Sequence, residues 1–237
     1  MKLTAILKCR PYRRALRHGV AALIEHDRTP LGHDYRTVLD VGANRGQFAL
    51  VASRRFPRAL LVCFEPLDGA RVKLELAISN HPRLRIVASA VADSAGSADL
   101  LVSRADDSSS LLTGTDRLLA TFPGTEVVER VSVPTERLDA LVGDHELARP
   151  ALLKIDVQGA ELEVLRGATA TLEKTDTIIV ECSFVELYDG QALADDVIRF
   201  LHPRDFRLAA IVSPTLDDAH QILQADLVFE RLRDGAS

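Results

Sequence analysis

From residue 36 onward, short β-branched apolar runs alternate with stretches whose apolar positions recur every three or four residues. Thr37–Val41, Leu60–Phe64, Leu84–Val91, Ala151–Ile155 and Thr177–Val180 read as buried strands, because they are almost continuously apolar and four to eight residues long. Helical spacing over Gly46–Phe56, Gly69–Ser79, Ala160–Leu172 and Ala192–Leu201 predicts the elements between and after them, and Pro57 ends the first. Two further strands are expected near Phe206–Val212 and Leu227–Phe229. Apolar strands separated by helices of this length imply βαβ crossovers and a mainly parallel sheet covered on both faces, an α/β fold.

Two regions break the alternation. In residues 1–35, apolar positions Leu3, Ile6, Leu7, Leu16, Val20 and Leu23 recur at helical spacing, predicting one or two amphipathic helices before Pro30. The stretch 1–19 also holds Lys2, Lys8, Arg10, Arg13, Arg14 and Arg17 and no acid, so it is either a solvated basic face or a contact for an anionic surface or substrate. Between about 94 and 135, Leu100-Leu101-Val102, Val127-Val128 and Val131-Ser132-Val133 read as antiparallel strands around a polar stretch, Arg104–Ser110. This is expected to be an insertion near a ligand site, since long loops in compact domains are commonly functional. The chain thus reads as one domain over residues 36–237, carrying that insertion, with residues 1–35 packed on it.

Composition narrows the class. At 237 residues and 47% hydrophobic, the chain has an ordinary globular make-up and buries enough surface to fold without a staple or a metal. A net charge of −5 argues against a dedicated nucleic-acid binder. Cys9, Cys63 and Cys182 form no CxxC pair, and an odd count suits a reducing compartment. No apolar run approaches the roughly 18 residues of a membrane span. The run Leu3–Leu7 is too short for a secretory leader and runs into Lys8 and Arg10, so a cytoplasmic protein is expected. No histidine spacing marks a metal site.

The candidate chemistry begins at Asp40-Val41-Gly42-Ala43-Asn44-Arg45-Gly46, between the first strand and its helix. That junction lies at the carboxyl edge of a parallel sheet, where doubly wound folds bind ligands. Gly42 and Gly46 allow a sharp turn and close backbone approach. The pattern departs from G-x-G-x-x-G at Asn44, lacks a P-loop lysine, and places Asp40 where a pyrophosphate would meet its charge. A ligand bearing an ammonium group suits that position better. Glu65, nineteen residues beyond Gly46 at the end of the second strand, is placed to accept the hydroxyls of a ribose.

Together with Phe64-Glu65-Pro66, Lys154-Ile155-Asp156-Val157-Gln158-Gly159-Ala160-Glu161, Leu165-Arg166-Gly167-Ala168 and Ala225-Asp226-Leu227-Val228-Phe229, the glycine turn resembles the FkbM-type family of S-adenosylmethionine-dependent methyltransferases. The resemblance runs from about residue 37 to 230 and is most specific at 154–161. It implies a doubly wound, mostly parallel seven-stranded Rossmann-like sheet whose final strand is antiparallel, within a reversed final hairpin. S-adenosylmethionine would lie across the strand edges. Carried over, Asp40, Gly42, Asn44 and Gly46 would wrap its methionine part, Glu65 would hold the ribose, and Ala90 and Val91, ending the third strand, would flank the adenine.

The resemblance implies transfer of a methyl group, here to a hydroxyl of a small molecule, sugar or glycan. Asp156, ending the fourth strand, is either the general base for that hydroxyl or a stabiliser of the sulfonium. Lys154 lies two residues earlier on the same strand face and is either its ion-pair partner or an acceptor-orienting cation. Glu181 ends the fifth strand on the same edge. Gln158, Glu161, Tyr188 and Ser110 are candidates to lie near the acceptor. Glu161 equally suits a helix-start carboxylate, Tyr188 a packing residue and Ser110 a plain loop. Two other classes compete: a nicotinamide-dependent dehydrogenase, disfavoured by Asn44 and Asp40, and a non-catalytic nucleoside-binding module, disfavoured by polar residues at three strand ends.

Overall fold

In chain order the strands are β1 (Thr37–Val41), β2 (Leu60–Phe64), β3 (Leu84–Val87), β4 (Ala90–Val91) and β5 (Gly96–Ser103), then β6 (Val127–Glu136), β7 (Ala151–Ile155), β8 (Thr177–Ser183), β9 (Phe206–Leu216) and β10 (Ile222–Arg231). The helices are α1 (Arg10–Leu16), α2 (Gln47–Arg55), α3 (Asp68–Ile78) and α4 (Asp116–Thr121), then α5 (Leu138–Leu141), α6 (Glu161–Arg166), α7 (Thr169–Glu173) and α8 (Ala194–Leu201). The computed structural model describes residues 9–105, 108–143 and 147–232. Lys2, Leu3, Ile6, Leu7 and Lys8 of the basic segment, and Asp106 and Asp107 of the polar stretch, lie outside these. Among the described residues no helix is long and apolar enough to cross a membrane.

Seven strands form one sheet in the order β3-β2-β1-β7-β8-β10-β9. The first five run parallel, and β10 is antiparallel to both its neighbours, so the reversal is confined to that single strand. Alternate residues of each strand feed two separate cores. Val38, Leu61, Cys63, Leu152, Ile179 and Val228 face one side, with α2, α3 and Tyr12, Ala15, Val20 and Ala22 of the N-terminal segment. Leu39, Val62, Leu153, Ile178, Val180 and Leu227 face the other, with α6, α7 and α8. The strands read as continuously apolar because both faces are covered.

Three boundaries differ from the sequence reading. The expected strand Leu84–Val91 divides: β3 ends at Val87, and Ala90–Val91 leave to pair with β6 in a second, three-stranded sheet of order β4-β6-β5. Ser89 holds this crossing, its hydroxyl donating to the carbonyls of Ala90 and Pro134. Ala90 and Val91 therefore do not end the third strand of the main sheet. The expected helix Ala160–Leu172 breaks at Gly167, whose backbone packs so near the Ala92 carbonyl that a Cβ there would fall 2.0 Å from its oxygen. The last two strands are longer than their apolar centres, 11 and 10 residues, because the hairpin continues past the sheet with one exposed side.

Candidate active site

Register places charges on one face of the sheet, at its carboxyl edge. Asp40 of β1 pairs with Lys154 of β7, and Glu181 of β8 pairs with Asp226 of β10. Each lies two residues beyond an apolar residue of the α2-side core (Val38, Leu152, Ile179) or, on the reversed strand, two before one (Val228), so all four point to that side. Asp156 follows β7 immediately. Polar groups here interrupt apolar runs, and the fold brings them around a cavity of about 530 Å³.

At one end of the cavity lies the glycine turn. Gly42 has φ +78°, and a Cβ there would sit 1.9 Å from the Asp156 carbonyl oxygen, so glycine is what lets the first turn pass against the loop after β7. Gly46, at φ +87°, packs against Leu74 of α3 and does not face the cavity. Asn44 adopts φ +46° and its Oδ1 accepts from the Arg45 N–H at 2.6 Å. Glu65 ties this turn down: its Oε2 accepts from the Asn44 N–H (2.9 Å) and its Oε1 from the Leu67 N–H (2.8 Å). Burial raises the Glu65 carboxyl above its ordinary range, against the pull of those N–H groups. Asp40 is 3% exposed, and burial lifts it to about 7 although Lys154 opposes the shift. Its Oδ2 has no hydrogen-bonding partner among the described residues. Ala90 and Val91 form part of the wall.

At the other end a hydrogen-bonded network joins the remaining candidates. Lys154 Nζ lies 3.2 Å from Asp156 Oδ2, and the Gln158 amide donates both to Asp156 Oδ1 (2.8 Å) and to Glu181 Oε2 (2.7 Å). The Tyr188 hydroxyl donates to Gln158 Oε1 at 2.8 Å. Burial alone would lower the lysine, but Asp156, Asp226, Glu181 and Asp40 outweigh it and hold it above its ordinary value. Burial likewise opposes the ionised form of Asp156, yet Lys154 and the Gln158 amide keep it low. Glu181 is driven well up, first by burial and then by the Asp156 charge. The two carboxyls are thus pushed apart, Asp156 down and Glu181 up.

Gln158 carries this arrangement on a left-handed backbone, φ +57°, followed by Gly159 at φ +107°. Strained conformations of this kind need support from around them. Glu161 supplies some of it: it does not line the cavity, and its Oε1 accepts from the N–H groups of Val157 (3.2 Å) and Gly159 (3.0 Å). Burial lifts Glu161 to about 7. Ser110 supplies more, its hydroxyl donating to the Gln158 carbonyl at 2.5 Å from the far side of the insertion. Tyr188 packs against Gly159. The sequence reading did not single out His26, Gln224 or Asp226 as site residues, yet all three line the cavity. Gln224 Nε2 donates to Glu181 Oε1 at 3.2 Å. An aspartate inside the apolar run of β10 was the available signal for Asp226; nothing in the sequence marked His26.

A doubly wound sheet with one reversed strand inside its edge, and a cavity over the glycine turn at the carboxyl ends, defines a Rossmann-like methyltransferase. The chain belongs to the FkbM methyltransferase family, whose domain, described as Methyltransferase FkbM domain, matches residues 40–208. That family is one of methyltransferases and not of nicotinamide-dependent dehydrogenases. The 2-O-methyltransferase NoeI of Sinorhizobium fredii is 33% identical over 160 residues, covering 65% of this chain and 66% of NoeI, just under two thirds of that relative. The 31-O-demethyl-FK506 methyltransferase FkbM of Streptomyces tacrolimicus is 25% identical over 210 residues, 78% of each chain. The crystal structure of Methyltransferase FkbM from Methylobacillus flagellatus shares the fold, with a TM-score of 0.56 at 15% identity over 96% of this chain and 53% of that one.

Proposed function

We propose that the methyl donor is S-adenosylmethionine and that the acceptor is a hydroxyl of a sugar or another small polyhydroxylated molecule. The observation that carries the donor is Asp40, whose buried, unpartnered Oδ2 sits at the turn where a cationic amino-acid part would meet it. Burying a carboxylate without a partner is costly, and a cation at that oxygen offsets the cost. Gly42 and Asn44 would line the same part of the donor. Glu65, with one backbone bond on each oxygen, has a free lone pair on each for a ribose. Ala90 and Val91 offer apolar wall to a base. Gly46 acts from behind by letting α2 seat on Leu74. When bound, the donor supplies an electrophilic methyl group on a sulfonium.

The acceptor end is lined by Gln158, Glu181, Ser213, Thr215 and Gln224, a set suited to several hydroxyls at once. The names of NoeI and FkbM, both O-methyltransferases, point the same way. Asp156, kept ionised by Lys154, accepts the hydrogen of the reacting hydroxyl. Glu181, held beside it by the Gln158 and Gln224 amides, closes that end of the acceptor pocket. Positioning dominates such a displacement.

Calorimetry with S-adenosylmethionine, S-adenosylhomocysteine and NAD tests the donor, and methyl transfer to hydroxylated sugars against their deoxy analogues tests the acceptor. Donor binding on the order of 1 μM, about −8 kcal/mol, with weak or no NAD binding is the expected result. Tighter binding of NAD overturns the reading.

A further inference from the structure

Lys154 is the one lysine or arginine in the described cavity wall, flanked by carboxylates from the loop after β7 and from β10. Its Nζ lies 3.2 Å from Asp156 Oδ2 and 3.5 Å from Asp226 Oδ1. The lysine side chain is 1% exposed and that of Asp226 is 8% exposed. The other oxygen of Asp226, Oδ2, lies 3.5 Å from His26 Nε2, on a histidine side chain that is 3% exposed. His26 sits in a short 3-10 helix, Ile24–Asp27, ahead of the whole sheet. Phe48 of α2 meets its ring edge-on at 5.2 Å between centroids, and Thr29 Oγ1 stands 3.4 Å from Nδ1. The chain His26, Asp226, Lys154, Asp156 therefore joins the N-terminal segment, β10 and β7 through side chains alone.

A lysine has a flexible four-carbon stem and three rotatable donors, so a single carboxylate leaves its ammonium free to swing. Lys154 also donates to the Ile155 carbonyl at 3.4 Å, and two carboxylates, one from the loop after β7 and one from β10, complete its place. The carboxylate of Asp226 must in turn be oriented, and only His26 contacts its second oxygen among the described ion pairs. We propose that Asp226 and His26 are positioning residues for methyl transfer: His26 orients the Asp226 carboxylate, Asp226 holds the Lys154 ammonium, and the ammonium presents Asp156 to the acceptor. The N-terminal segment is then part of the catalytic unit. The groups facing Lys154 are Asp40 of β1, Asp156 beyond β7, Glu181 of β8 and Asp226 of β10, with His26 from the segment. Burial, with Lys154 beside it, lowers His26 to about 4, so at neutral pH it faces Asp226 as a neutral ring and adds no second cation.

This rests on the methyl-transfer reading, and the test keeps the two apart. A slowly exchanging ammonium signal of Lys154, seen by proton–nitrogen NMR without any donor, reports the contact itself. It is expected in the wild type and lost to exchange broadening in Asp226→Asn. In turnover, Asp226→Asn is expected to lower kcat about 10- to 100-fold with donor Kd within about twofold, since the residue acts through another group. In a Lys154→Met background the same substitution should change kcat by less than about twofold, as coupled residues are not additive. His26→Gln, which keeps an N–H donor, should stay within about threefold of wild type, and His26→Leu should lose about tenfold. An unchanged ammonium signal, additive losses in the double variant, or wild-type kcat in both Asp226→Asn and His26→Leu overturns the proposal. A wild type that binds donor but transfers no methyl, with the ammonium signal still responding, sinks the transfer reading instead.

Discussion

In the proposed site, Asp40 would link donor binding to pH. Its carboxyl is lifted to about 7 by burial, so below that pH it is protonated and offers a cation nothing. If it meets the ammonium of the donor, affinity for S-adenosylmethionine and for S-adenosylhomocysteine alike should rise by up to about tenfold per pH unit toward pH 7 and then level off. Calorimetry across pH 5–9 checks this, and Asp40→Asn should flatten the profile. The two roles of Asp156 separate in the same experiment. As proton acceptor, Asp156→Asn leaves both ligands bound and lowers turnover by about 10² or more. As a sulfonium stabiliser, it weakens S-adenosylmethionine far more than the neutral thioether. In the proposed role the lowered carboxyl beside Lys154 is a weak base, so it hydrogen-bonds the hydroxyl and takes its proton only as the new C–O bond forms and the C–S bond breaks. Glu65→Ala, by contrast, should cost donor binding about 1.5–3 kcal/mol and also loosen the Asn44 turn, whereas Glu65→Gln keeps an acceptor and costs less. The residue-level chemistry was legible wherever a polar side chain ended a strand, as at Asp40, Glu65, Asp156 and Glu181. The opposite displacement of the Asp156 and Glu181 carboxyls was not, because it depends on a lysine 3.2 Å from Asp156 and on an amide bridging the pair.

Among the elements, the insertion does the most to complete the site. Its small sheet carries Ser110, bridged to Leu101 of β5, onto the left-handed carbonyl of Gln158. The same hydroxyl accepts from the Leu112 N–H at 2.9 Å, so Ser110→Ala strips a partner from each of two half-buried backbone groups. The expected outcome is a loss of about 1–3 kcal/mol in stability, with kcat/KM falling more than donor affinity, read by thermal melts and steady-state kinetics. At the next loop, Gly42→Ala drives a Cβ toward the Asp156 carbonyl and should weaken donor binding and turnover together. Element identity followed from apolar spacing across most of the chain. Element ends did not: β3 and β4 part at Ser89, and α6 and α7 part at Gly167, because each break answers a neighbour remote in sequence, Pro134 in one case and Ala92 in the other.

At the scale of the whole molecule, the N-terminal segment shares its core with the sheet. Tyr12, Ala15, Val20 and Ala22 are buried in the cluster that holds Val38, Leu50 and Leu152. Leu16, Leu23, Ile24 and Leu31 pack half-buried against the same cluster; at about 1.5–3 kcal/mol for each large apolar side chain fully buried and less for the alanines and the half-buried ones, the sum is comparable with the 5–15 kcal/mol that keeps a domain folded. A chain lacking residues 1–35 should therefore show no cooperative thermal transition. Stability should also depend on acid in a sense opposite to the ligand. Asp40 and Glu161 sit near 7 when folded and near 4 when unfolded, so the folded form holds their protons more tightly. Their contribution is fully present below about pH 4 and declines as pH rises to about 7. Comparing melts of the wild type with Asp40→Asn over that range should show the decline reduced in the variant.

The order of apolar and polar residues by itself determined the parallel sheet, its helices on two faces, the glycine turn and the acids at the ends of four strands. Those are local facts: a period, a breaker, a polar residue where a strand must end. The tertiary structure alone decided that His26 and Asp226 meet Lys154, that Ala90 and Val91 belong to a second sheet, and that Glu161 braces a loop from behind it. Each is a contact set by register or by packing between distant segments. A buried charge finds its partner through the fold, and spacing along the chain carries no record of which partner that is.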